Sequence, residues 1–107
     1  MKVPESAFSI VCGSESGMDT LVYGRFHLNA EDVDAFIAGL PNGTKIASFD
    51  GYSNVTSHNM PHDWWTPSAL VSPRKANWLL PGFSGNLLIG TEADAEKVTV
   101  YFFNFTL

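Results

Sequence analysis

The stretch Val98-Thr99-Val100-Tyr101-Phe102-Phe103-Asn104-Phe105-Thr106 decides the fold. Its residues are β-branched or aromatic throughout, which reads as a strand. Side chains alternate along a strand, so Val98, Val100 and Phe102 point one way while Tyr101, Phe103 and Phe105 point the other. Both sets are apolar. Such a strand is central in its sheet, or covered on two sides, because leaving either face in water would expose large aromatic area. A single helix layer covers one face only. The second aromatic face therefore needs another cover, either a loop of this chain or a second copy of it.

The helix for the first face is read at 29–40. Asn29 stands where a cap belongs, Glu31 and Asp32 complement the positive helix end, and Gly39 with Pro41 ends the segment. Val33, Phe36, Ile37 and Leu40 keep the spacing i, i+3, i+4, i+7, one apolar stripe to lay on a sheet. Two further strands precede it, 7–12 and 20–28, separated by the turn formers Gly13-Ser14-Glu15-Ser16-Gly17, which predicts a hairpin with a long loop. Cys12, within the run Phe8-Ser9-Ile10-Val11-Cys12, is expected to be a buried small hydrophobe. After the helix, 44–50 reads as a strand. Next come a short helix starting near Thr66, with Pro67 first and Ala69, Leu70 and Val71 inside, a short strand at 78–80, and strands at 87–91 and 98–106.

These elements predict an α+β fold: an antiparallel sheet of about five or six strands, one main helix packed on one face and a long irregular loop over the other. The alternative is a β-sandwich with a helical insertion. A chain of 107 residues suits a single domain, 1–107, with 45% hydrophobic and 13% aromatic residues to build a core. Six Lys and Arg stand against eleven Asp and Glu, a formal charge of −5, and the only adjacent basic pair is Arg74-Lys75. A phosphate backbone is thus an unfavourable partner, and no direct nucleic-acid binding is expected. The lone cysteine excludes an internal disulfide. The absence of a leader pattern and of an apolar run of spanning length makes the cytoplasm the expected compartment, with no membrane association.

Chemistry-bearing residues concentrate in His58-Asn59-Met60-Pro61-His62-Asp63-Trp64-Trp65-Thr66-Pro67. His58, His62 and Asp63 are ligand types that zinc or non-haem iron accepts, with Asp50 and His27 the nearest further candidates by type. Pro61 disfavours a helical path between the histidines, so any convergence would rest on a turn. Loop histidines bonded to backbone groups are the preferred reading, and neither metal nor cofactor is expected. Gly82-Phe83-Ser84-Gly85-Asn86 matches a nucleophile elbow only in part and stands between two strands, where a turn is expected.

The indoles of Trp64 and Trp65 are costly to expose, which leaves three readings. In the first, one indole packs in the core and pins the loop while the other lies half exposed. In the second, both line a pocket with Tyr52, His58 and His62. In the third, they anchor a protein partner. The function expected is that of a small non-enzymatic protein-binding protein, an inhibitor or accessory factor. It would act through this aromatic loop and an acidic surface drawn from Glu15 and Asp19, from Glu31, Asp32 and Asp34, and from Glu92, Asp94 and Glu96, toward a basic partner. The alternative is a metal-dependent enzyme or small-ligand-binding protein using His58, His62 and Asp63. A homodimer paired through the aromatic C-terminal strand is a further expectation.

Overall fold

The computed structural model describes residues 3–16, 20–48, 63–66, 69–91 and 97–106. Six strands form one antiparallel sheet: β1 (Phe8–Ser16), β2 (Thr20–Asn29), β3 (Lys45–Ser48), β4 (Val71–Leu80), β5 (Phe83–Thr91) and β6 (Lys97–Thr106). Their spatial order is β1-β2-β6-β5-β4-β3. Between β2 and β3 a 3₁₀ turn, Ala30–Asp32, runs into helix α1 (Val33–Ala38). Since β2 neighbours β6 and β3 lies at the far edge, this connection crosses the face of the sheet.

The aromatic C-terminal strand is central, as its two apolar faces require. β6 pairs with β2 along its length, from Thr20 opposite Thr106 to Asn29 opposite Lys97, and with β5 on its other side. Both of its edges are therefore hydrogen-bonded within the chain. Val98, Val100 and Phe102 join Phe26, Leu28, Ala76, Trp78, Leu87 and Ile89 in a cluster closed by Val33 and Phe36 of the helical segment. Phe26 and Phe36 meet edge to face at 5.6 Å. On the other face Tyr101 and Phe103 cluster with Leu21, Tyr23, Leu70 and Leu88, and the Trp64-Trp65 segment packs against them. Helix and irregular segment thus cover opposite faces of one sheet.

Several local expectations are corrected. The first hairpin has a short connection: β1 continues to Ser16, which pairs with Thr20, leaving 17–19 between the strands. An edge strand is held by backbone bonds to its neighbour, so the weak β formers Gly13, Ser14 and Ser16 are carried in the ladder. Cys12 is exposed rather than buried, since its register partner on β2 is Gly24, which offers no side chain to pack against. Asn29 occupies the cap position but makes no side-chain cap bond.

The short helix expected from Thr66 does not extend into Val71. Ala69 N–H donates to Thr66 O at 3.0 Å, and the chain enters β4 at Val71, seven residues before the strand expected at 78–80. Pro73 does not break β4. It falls at a register irregularity between Val71 and Arg74, where Ser72 takes φ 47°, and a bulge of this kind needs no ladder bond from the proline nitrogen. β5 likewise begins early, at Phe83, after the two-residue turn Pro81-Gly82 with Gly82 at φ 72°. Gly82-Phe83-Ser84-Gly85-Asn86 is accordingly a hairpin turn and the start of a strand. Among the described residues no helix is long and apolar enough to cross a membrane.

Candidate functional site

The face opposite α1 carries the aromatic site. Tyr23 on β2 and Tyr101 on β6 are buried, and their rings form the floor. Trp65 meets Tyr101 edge to face at 5.3 Å and Tyr23 at 5.5 Å, while Trp64 stacks on Tyr23 at 5.9 Å with an interplanar angle of 28°. The two indoles lie edge to face, 6.1 Å apart. These offset and T-shaped arrangements are those the ring quadrupoles favour. Both indoles are half-buried, and Asp63 and Thr66 on either side of them are exposed. The burden of covering the face is therefore divided between the two rings. Trp65 reaches both tyrosines, and Trp64 adds cover over Tyr23.

Polar bonds fix the segment at a few points. Thr66 Oγ1 and Tyr101 Oη are hydrogen-bonded at 3.1 Å, so the buried phenol is satisfied by the segment that covers it. Thr66 N–H donates to Trp64 O at 3.2 Å, a tight local turn, and Arg25 Nη1 donates to the same carbonyl at 3.4 Å. Arg25 is the register partner of Tyr101 and lies two residues along β2 from Tyr23. Its Nε–H and the Trp65 Nε1–H are buried and have no hydrogen-bond partner among the described residues. The Tyr23 hydroxyl is pushed above its ordinary value, first by burial and then by the negative charge of Glu15.

Of the residues singled out by sequence, Asp63, Trp64 and Trp65 are brought to this face together. Tyr52, His58 and His62, and also Asp50, lie outside the described residues. His27 is in β2, where its Nδ1 and Thr99 Oγ1 are 2.9 Å apart and its ring meets Phe8 at 5.6 Å. Among the described residues no group of three or more His, Cys, Asp or Glu side chains is placed to hold a metal ion. Sequence reasoning missed Tyr23, Arg25, Thr66 and Tyr101 as members of the site. The available signal was Arg25 itself: it falls on the same strand face as Leu21 and Tyr23, alternating with Val22, Gly24 and Phe26, and a cation on such an apolar face requires a polar partner. A separate cleft of about 370 Å³ lies against the helical segment, lined by Pro4, Asp32, Phe36 and Leu40 among others.

Comparison with protein-family models, characterised proteins and solved structures finds no match for this chain.

Proposed function

We propose that this chain is a small protein-binding module, of the inhibitor or accessory type, which engages its partner through Trp64 and Trp65 with acidic side chains nearby. The observation that carries this reading is the presentation of two half-exposed indoles side by side on a floor of buried tyrosines. Exposed tryptophans already held in one orientation lose little freedom on binding, and such residues dominate interface energies. Asp63 adjoins them and Glu15 is exposed on β1, which favours a partner surface carrying Lys or Arg.

The test begins with capture of partners on the immobilised protein and identification by mass spectrometry, followed by Kd measurement with the purified partner. Trp64→Ala should weaken the complex by about 2 kcal/mol, roughly 30-fold. Because this ring also covers part of the core, Trp64→Phe and Trp65→Phe serve as variants that keep the cover, and circular dichroism checks the fold of each. Affinity unchanged across all three variants would reject the reading.

A further inference from the structure

Among the described residues, two donors at the aromatic cluster stand without acceptors, Arg25 Nε–H and Trp65 Nε1–H. They flank the same pair of rings. Arg25 is opposite Tyr101 in the β2–β6 register and shares a sheet face with Tyr23, while the Trp65 indole sets its edge against both tyrosines. Among the described residues the guanidinium makes one hydrogen bond, from Nη1 to Trp64 O, and at 3.4 Å it is at the long limit for such a bond. A cation half-withdrawn from water with one weak neutral acceptor is an incomplete arrangement, because desolvation of a charged donor is normally offset by an anionic or strongly polar partner.

The missing partner is defined by what surrounds it. One positive charge and two N–H donors match a carboxylate, whose single charge is spread over two oxygens and which arginine binds with matching planar geometry. Beside these donors the half-buried indoles of Trp64 and Trp65, seated on the buried rings of Tyr23 and Tyr101, offer flat apolar surface that suits a flat apolar body attached to that carboxylate. We propose that this face holds a recessed site for a small aromatic carboxylate, its oxygens taken by Arg25 Nε–H and Trp65 Nε1–H. Both donors are buried, so entry requires the Trp64-Trp65 segment to shift on the tyrosines and the long Arg25–Trp64 bond to open. The site does not depend on a protein partner, so its failure and that of the binding-module reading are separate results.

The test is titration of the ¹⁵N-labelled full chain with sodium benzoate, following the indole N–H resonances of its three tryptophans. The Trp65 indole N–H is expected to move saturably, with Trp78, on the opposite face, unmoved. Benzamide, isosteric but uncharged, should bind at least tenfold more weakly, as should benzoate to Arg25→Gln. Arg25→Lys keeps the charge without the Nε–H and should show the same loss. A Trp65 resonance unmoved by benzoate at concentrations on the order of 10 mM, where even weak sites fill, overturns the proposal. So does equal binding of benzamide by the unaltered protein. Saturable binding of inorganic phosphate without binding of benzoate also overturns it, because the class of ligand would then be wrong.

Discussion

Gly85 shows how closely single residues are fitted into this sheet. A Cβ placed there would stand 1.9 Å from Cε2 of Trp78, its register partner on β4, so the indole lies directly over the glycine backbone. Gly24 is covered in the same way by Phe102, with a ring carbon 2.5 Å from where the Cβ would be. Gly85→Ala must displace a buried indole, and we expect a loss of about 1–3 kcal/mol in urea denaturation, the usual cost of overpacking. A variant as stable as the parent would mean that Trp78 moves aside freely. Tyr23 makes a prediction in pH. Its folded hydroxyl titrates above the unfolded value of 10.0, so the folded state holds a proton that the unfolded chain gives up first. Stability from this group is fully present below pH 10.0 and is lost as pH rises toward the higher folded value. Tyr23→Phe should therefore show a shallower alkaline loss of stability than the parent when the melting temperature is followed upward from pH 9 to about 11.

At the scale of elements, the β5–β6 ladder contains a gap closed by side chains. The register runs Phe83–Thr106 and Ser84–Phe105, then resumes at Leu87–Phe102. In the interval Asn86 N–H donates to Asn104 Oδ1 at 3.1 Å, and Asn86 Nδ2 donates to Phe103 O at 3.1 Å. Two asparagines thus replace backbone partners and keep two central strands joined. Asn104→Ala would leave the Asn86 amide without its acceptor, with an expected loss of about 1–3 kcal/mol, while Asn104→Asp, which retains an acceptor oxygen, should lose less. Equal stability of Asn104→Ala and the parent would show that the ladder re-forms without the side chain. The irregular φ angles of Ser9 and Ser72, 53° and 47°, mark two further breaks in regular pairing, one in β1 and one in β4.

Over the whole molecule, protection from solvent falls from the centre of the sheet outward. β6 is buried over most of its length between β2 and β5, whereas every residue of β3 is exposed and β1 is exposed at most positions. Native-state hydrogen exchange should find the slowest amides in β6 and in the parts of β2 and β5 that pair with it, with β3 and β1 among the first strands to exchange. Uniform protection across all strands would contradict this gradient. Large apolar side chains remain in water toward the β3 side, notably Ile46, Leu79 and Leu80. The two covers of the sheet differ in kind. The helical segment buries Val33 and Phe36 as an apolar stripe, whereas the Trp segment lays rings on rings and is tied by the Thr66–Tyr101 and Arg25–Trp64 bonds.

What the sequence determined by itself was the part written as local periodicity. The two apolar faces of β6, the stripe Val33, Phe36, Ile37 and Leu40, and the need for a second cover are all consequences of side-chain alternation and helical spacing. They led to a central strand, a helix on one face and an irregular segment on the other. Tertiary structure alone decided the strand order, because no local pattern tells β2 to pair with β6 and β3 to take the far edge. It also carried β4 through Pro73, by placing a bulge there, and put Cys12 in water, by setting it opposite Gly24 on an edge strand. The site was legible in half. Trp64 and Trp65 announce themselves by the cost of exposing them, but Tyr23, Arg25 and Tyr101 join them only through cross-strand register and the approach of a segment about 40 residues distant in sequence from Arg25.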